Sequence, residues 1–332
     1  MYTFDQITSR AVRSKANCLG DFLIKNPSMR LHSFSQAPTT DLDLNQLVQA
    51  LRQSRELTHK VRHKGSVREL PSREALAQIV QGLTAALFPT HYGDTDLNDS
   101  TIDFYVGQTL NRTLTLLVEQ VRRGLRFTAI GEEDDPALSD KALCITRSFA
   151  DKLPHIRGLI VSDLQAALDG DPAASSISEI LLCYPGITAI IHYRLAHALY
   201  QLGNPFLARL ISDIAHSRTG VDIHPGAQIG AAFFIDHGTG VVIGETTIIG
   251  ERVRLYQAVT LGAKRFATDE NDRLLKGYAR HPIVEDDVVI YAGATVLGRI
   301  TVGKGSSIGG NVWLTHSVPP DSSITQALNR TS

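Results

Sequence analysis

Broken every six positions, residues 284–313 read VEDDVV IYAGAT VLGRIT VGKGSS IGGNVW. An aliphatic residue leads each block: Val284, Ile290, Val296, Val302 and Ile308, with Leu314 opening the next. A six-residue period is neither the 3.6 of a helix nor the two-residue alternation of a simple strand. It fits a parallel β-helix in which each hexad supplies one short strand and one corner, three hexads make a coil, and the leading aliphatic residue points inward. Each coil then stacks only on its neighbours, as in any solenoid. Upstream the same period runs through Ile243, Ile249, Leu255 and Leu261, and before that through Ile223, Ile229 and Ile235. Small or apolar residues recur four places after the leader, at Ala227, Val253, Val259, Val288, Ala294, Ile300 and Val312, and predict a second inward position. Glycines directly after the leader, at Gly230, Gly244, Gly250, Gly262, Gly303 and Gly309, are expected to provide left-handed corners.

The period slips by two residues between Ile235 and Ile243, within IDHGTG. A repeat broken at one place points to a site there. The stretch GVDIHPGAQIGAAFFIDHGTG, residues 220–240, sets Asp222, His224, Asp236 and His237 among glycines and small apolar residues.

The half of the chain before the repeat has apolar residues at helical 3-4 spacing over 73–88, 103–125, 139–153, 159–171 and 177–202, the last interrupted by Pro185-Gly186. Residues 1–72 are polar, Ser-rich and weakly periodic, and read as a mobile or loosely docked arm. The expected organisation is therefore an arm over 1–72, a helical domain over 73–217, the β-helix over 218–320 and a short tail over 321–332.

Composition narrows the function. The 332 residues carry a formal net charge of -1, which gives no global attraction to nucleic acid or anionic lipid. Cys18, Cys144 and Cys183 are widely spaced, without a CxxC pair. This argues against a disulfide framework or structural zinc and for inert thiols. No apolar run reaches the ~18 residues of a membrane span, and the N-terminus lacks the apolar centre of a secretory signal, so a cytoplasmic protein is expected.

The order DLQAALDGDPAA (163–174), VDIHPGAQIG (221–230), IDHGTGVVIGE (235–245), QAVTLG (257–262) and RHP (280–282) resembles bacterial serine O-acetyltransferase, a hexapeptide-repeat acyltransferase. The resemblance covers roughly residues 75–320. It implies an α+β multidomain chain, with an α-helical N-terminal domain followed by a left-handed parallel β-helix. The activity it implies is transfer of acetyl from acetyl-CoA to L-serine, the first step of cysteine biosynthesis. A neutral imidazole is the usual base for such a hydroxyl, and His237, at the slip, is the candidate. Asp222, fifteen residues earlier, is the candidate to orient it.

By the same resemblance, Asp171 and Asp236 contact serine, Arg280 pairs with its carboxylate, and His281 acts across a subunit boundary. The guanidinium fork suits a carboxylate. Gly262, Ala263, Ala292 and Gly310 match positions that hold the pantetheine arm of CoA. No cofactor is permanently bound and no metal is expected, because the histidine spacing does not match the coil-related triplets of metal-dependent relatives. His224 reads as structural.

The resemblance further implies a homotrimer with sites between subunits, in some members paired into a dimer of trimers, and inhibition by L-cysteine. The end of the chain, SVPPDSSITQALNRTS, lacks the isoleucine anchor used by many members, so no stable complex with O-acetylserine sulfhydrylase is expected. The alternatives are a hexapeptide-repeat acetyltransferase with another acceptor, a non-catalytic scaffold and a metal-dependent hydratase.

Overall fold

The computed structural model describes residues 43–58, 69–94, 96–128, 135–265 and 268–326. The chain divides into two units, residues 1–66 and 67–332. In the first, helix α1 (Leu44–Gln53) is capped by Asp43, whose carboxylate accepts from the Asn45 and Gln46 N–H groups, and a π-helical turn follows over Ser54–Thr58. Leu44, Leu47, Val48 and Leu51 give α1 an exposed apolar stripe at 3-4 spacing. The rest of the stretch expected to form an arm below residue 69 lies outside the described residues.

The second unit opens with helices α2 (Arg73–Leu87), α3 (Pro89–Tyr92), α4 (Ile102–Thr128), α5 (Asp135–Gly170), α6 (Ile177–Cys183), α7 (Pro185–Gln201) and α8 (Pro205–Thr219). The two segments expected at 139–153 and 159–171 are one helix that runs straight through Pro154. Phe149, Leu153, Ile156, Ile160 and Leu164 are all buried on both sides of the proline. Burial is worth about 1.5–3 kcal/mol per large apolar side chain and outweighs the roughly 3 kcal/mol cost of an interior proline. At Tyr184 the chain does break, with Pro185 starting α7. Helix α8 was not expected. Its starters are standard, an Asn204 cap whose Oδ1 accepts from Leu207 N–H and Pro205 in the first turn, and it ends on Gly220 at φ 71°.

From Asp222 the chain winds into a left-handed parallel β-helix whose described residues form fourteen short strands in three parallel sheets. The first holds β1 (Asp222–Ile223), β4 (Val242–Ile243), β7 (Thr260–Gly262), β10 (Thr295–Leu297) and β13 (Trp313–Leu314). The second holds β2 (Gln228–Ile229), β5 (Ile248–Ile249), β8 (Ile283–Val284) and β11 (Thr301–Val302). The third holds β3 (Phe234–Ile235), β6 (Arg254–Leu255), β9 (Val289–Ile290), β12 (Ser307–Ile308) and β14 (Ser323–Ile324). Every hexad leader from Ile235 to Leu314 is buried, and so are the second inward residues from Ala227 to Val312.

The glycines after the leaders do a different job from the one expected. None has positive φ, and the left-handed corners fall on residues such as Ala258, Asp287 and Asn311. The glycines instead allow coils to approach. A Cβ on Gly230 would meet the Gly250 carbonyl oxygen at 2.6 Å, and one on Gly303 the Pro320 nitrogen at 2.3 Å.

Helix α7 is fastened to the first coil by buried polar groups. Arg194 grips Asp163 of α5 with contacts of 2.9 and 3.1 Å, and donates to the carbonyls of Ile229 and Gly230. Asp163 also accepts from Phe233 N–H. Burial pushes its carboxyl up, against the opposing pull of Arg194. Tyr193 donates to the Ala227 carbonyl at 2.6 Å. Breaking a buried pair of this kind costs about 3–5 kcal/mol, which fixes the helices on the prism that carries the site.

Candidate active site

The slip in the repeat is a physical insertion at one corner. Register runs from Asp222↔Val242 to Val242↔Thr260, twenty residues and then eighteen. At the edge where the chain turns from the third sheet into the first, the regular left-handed position is Ala258, then Gly293, then Asn311. Its counterpart one coil earlier is Gly240. The extra residues form a second left-handed turn at His237 (φ 58°) and Gly238 (φ 89°). His237 is thereby thrown outward, with its side chain 69% exposed, and its Nδ1 lies 3.6 Å from Asp236 Oδ1.

This His237 edge abuts the α6–α7 junction. Gly186 sits so close that a Cβ there would meet the Ile235 carbonyl oxygen at 2.2 Å. Tyr184 donates to Asp171 Oδ2 at 2.6 Å, and Ala173 N–H donates to Asp171 Oδ1 at 2.8 Å. Those two bonds, with smaller help from the charges of His237 and Arg254, hold the Asp171 carboxyl below its ordinary range. The same carboxylate pushes the Tyr184 hydroxyl up to about 12. Asp171, Tyr184, Asp236 and His237 thus form one cluster. Asp222 begins β1 of the first sheet, and no hydrogen bond joins it to His237. Its charge is felt by His224.

Arg280 and His281 lie on a different edge, where the chain turns from the first sheet into the second. The 263–282 loop leaves the prism there, between β7 and β8. Arg280 Nη2 pairs with Glu245 Oε2 at 2.7 Å, and Tyr200 reaches the other oxygen of Glu245. Burial alone would raise Glu245, but Arg280 outweighs it and the carboxyl is lowered. Thr246 gathers the turn, its Oγ1 accepting from the Arg280 and His281 N–H groups. Thr246 N–H donates to His281 Nδ1 at 3.0 Å, so the proton of the neutral ring sits on Nε2. Burial first, then the charge of Arg280, lower His281 to about 4. The ring occupies the space that a Cβ on Gly244 would fill, 2.0 Å from its Cδ2. His224 is held by its own corner, Nδ1 accepting from Gly226 N–H, and burial lowers it to about 4.

The four positions matched to CoA divide in the same way. Ala292 and Gly310 stand on the His237 edge, one and two coils beyond Gln257, and the Gly310 Cβ position faces the Ala292 carbonyl oxygen at 3.2 Å. Gly262 and Ala263 stand on the Arg280 edge, at the end of β7. Two polar residues of the site were overlooked in the sequence. Glu245 was visible in the IDHGTGVVIGE motif, whereas Tyr184 carries no local signal, because its partner Asp171 is brought to it by the α5–α6 turn. Cys144 and Cys183 are exposed free thiols, and Cys18 lies outside the described residues. Among the described residues no group of three His, Cys, Asp or Glu side chains is arranged to hold a metal, and no helix is long and apolar enough to cross a membrane.

No family model matches the chain. Individual relatives do. The chain is 62% identical over 262 residues to a plasmid serine acetyltransferase of Synechococcus elongatus, a match covering 78% of this chain and 82% of that one. It is 49% identical over 166 residues to the serine acetyltransferase of Bacillus subtilis, covering 50% and 72%. Among solved structures, Entamoeba histolytica serine acetyltransferase 1 in complex with L-cysteine shares the fold with a TM-score of 0.66 at 37% identity, over 79% of this chain and 90% of that one. With identity of that depth across most of a relative's length, and the same architecture in the solved enzyme, the chain belongs to the serine acetyltransferase family.

Proposed function

We propose that the chain transfers the acetyl group of acetyl-CoA to the hydroxyl of L-serine, giving O-acetyl-L-serine and CoA, at sites assembled between neighbouring copies. The observation that carries this reading is the two-residue insertion, which sets His237 outward beside Asp236 and near Asp171. His237 takes the serine hydroxyl proton as the oxygen attacks the thioester carbonyl carbon. When the C–S bond breaks, the imidazolium returns that proton to the departing thiolate, so the ring ends as it began. Asp236 lies close enough to stabilise the imidazolium. Asp222 has the orienting role by family resemblance. Asp171 and Asp236 receive the ammonium, Arg280 the carboxylate, and Glu245 fixes the Arg280 fork.

The placement of these groups supports an oligomeric site. Asp171, Asp236, His237, Ala292 and Gly310 belong to one edge, and Arg280, His281, Gly262 and Ala263 to the next, with the first sheet between them. A side of six residues spans up to about 20 Å at ~3.3 Å per residue, several times the length of serine. A single serine therefore meets both halves only if the His237 edge of one copy faces the Arg280 edge of another. Such head-to-tail contact closes into a ring, and for a triangular prism we take the ring to be a homotrimer. Acetyl-CoA would lie along the same interface.

L-cysteine shares the ammonium and carboxylate of serine and has a thiol of similar size, so it should compete for the same place. The relative solved with L-cysteine bound supports this. The test is thiol release from acetyl-CoA with L-serine as acceptor and no added metal. Equal rates with an amino sugar, or dependence on added zinc, would overturn the assignment.

A further inference from the structure

At the Arg280 edge the first two coils meet the same need in different ways. Register pairs Ile223 with Ile243, so His224 is equivalent to Gly244, and Gly226 to Thr246. In the first coil the corner supplies its own ring: Gly226 N–H donates to His224 Nδ1 at 2.9 Å. In the second coil that place is a glycine. Thr246 N–H donates instead, at 3.0 Å, to the ring of His281, which lies 35 residues further along the chain. A ring that belongs to its corner is anchored by the coil. One that arrives at the end of an inserted loop has to be held by other contacts, because closing the loop costs entropy. The sheet ladder resumes only at Pro282, whose carbonyl accepts from Ile248 N–H, so Arg280 and His281 lie just outside it.

Part of the hold comes from the next corner up the prism, Gly298 and Arg299, between β10 and β11. Gly298, at φ 94°, donates its N–H to the Gly262 carbonyl at 2.9 Å, where the 263–282 loop departs. Arg299 Nη1 donates to the His281 carbonyl at 3.0 Å, where the loop returns, and reaches back to the Thr246 carbonyl at 2.6 Å. One dipeptide thus holds both ends of the loop.

The result is a histidine fixed on every side but one. His281 N–H donates to Thr246 Oγ1, its carbonyl accepts from Arg299, and its Nδ1 accepts from Thr246 N–H. Only Nε2–H has no hydrogen-bond partner among the described residues. Thr246 Oγ1 also accepts from Arg280 N–H, so a grip on Thr246 bears on Arg280 as well.

We propose that Arg299 is a positioning residue for serine: by bridging the Thr246 and His281 carbonyls it holds the His281 ring, and through Thr246 the Arg280 backbone, in the geometry that receives the substrate carboxylate. The inference rests on the reading of the Arg280 edge as the carboxylate half of the site. Arg299 acts through its neighbours and needs no contact with substrate.

Steady-state kinetics of the full chain carrying Arg299→Ala or Arg299→Lys tests the assignment. Arg299 is exposed, so its truncation leaves no cavity, and the thermal midpoint checks folding. R299A loses both donated bonds. Its Michaelis constant for serine should rise about tenfold, with kcat and the constant for acetyl-CoA within about twofold of the parent. A lysine ammonium can still donate to two carbonyls, so R299K should recover to within about threefold of the parent. An unchanged serine constant in R299A, an equal rise in both Michaelis constants, or R299K as impaired as R299A would overturn the assignment. Arg280→Lys separates it from the reading beneath it. A raised serine constant in R280K with none in R299A removes Arg299 alone. No rise in either variant removes the carboxylate reading of the edge, and the role of Arg299 with it.

Discussion

The two edges proposed to carry the chemistry differ in how completely their side chains are satisfied. At the Arg280 edge every principal group is engaged: Arg280 on Glu245, His281 on Thr246, the imidazole seated against Gly244. At the His237 edge the histidine stands out in left-handed backbone, its Nδ1 3.6 Å from the Asp236 carboxylate. A group that recognises a fixed carboxylate gains from being held before the ligand arrives, since less ordering remains to be done on binding. A group that must take a proton and return it has to stay accessible to the reacting atoms. On the proposed reading the first edge binds and the second reacts, and a left-handed turn such as the one at His237 costs about 1–2 kcal/mol for a non-glycine residue.

The strongest way to break that contrast is His237→Asn. Asparagine accepts left-handed backbone, so the corner survives while the base is lost. Turnover should fall by about 10²–10⁴, with the thermal midpoint little changed. Asp222→Asn should lower turnover less. A near-normal rate in H237N, measured by thiol release, would remove His237 from the mechanism.

Next in size is complementation between the edges. H237N and Arg280→Gln chains are each expected to be nearly inactive alone. Refolded together in equal amounts, about one quarter of the interfaces of a head-to-tail ring pair an intact His237 with an intact Arg280, so about a quarter of wild-type activity should return. No recovery in verified mixed oligomers would mean that both halves act within a single chain.

Much of this arrangement was legible before any coordinates. The six-residue period gave the prism, its inward residues and the slip at IDHGTG, because each hexad is a local unit whose burial repeats. What stayed hidden depends on contacts distant in sequence. Pro154 reads as a break, and only the buried stripe on either side of it shows why α5 continues. The corner glycines read as left-handed, whereas the constraint on Gly230 comes from Gly250 in the next coil. Glu245 lay in plain view but has a partner thirty-five residues away, across an inserted loop. The two edges were separable only when the order of strands in each sheet was known.

Arg280→Lys sharpens the comparison from the binding side. Lysine keeps the charge but cannot hold Glu245 and a substrate carboxylate with one planar fork. The Michaelis constant for serine should rise about tenfold, that for acetyl-CoA should hold, and kcat should change little. If acetyl-CoA is the substrate affected, Arg280 belongs to the CoA side of the interface.

The smallest effect expected is in Tyr184→Phe, which asks whether the reactive edge has any fixed recognition of its own. Tyr184 is the largest cause of the lowered Asp171 pKa, followed by the Ala173 N–H. A lowered carboxyl stays ionised to lower pH, so serine binding should survive acidification until the pH falls through that depressed value. Without the phenol, Asp171 moves back toward the ordinary aspartate range near 3.9, and protonation begins at higher pH. The ring remains to fill its place between α6 and α7, so the helices should keep their junction. At pH 6 the variant and the parent should bind serine within about two- to threefold, the loss of one hydrogen bond to a partly buried carboxylate. Between pH 6 and pH 4 the variant should lose about twofold more affinity than the parent. Titrations of serine at the two pH values decide it: parallel losses in the two proteins would show that Tyr184 packs the helix junction without tuning Asp171, and would leave the Arg280 edge as the sole preorganised half of the site.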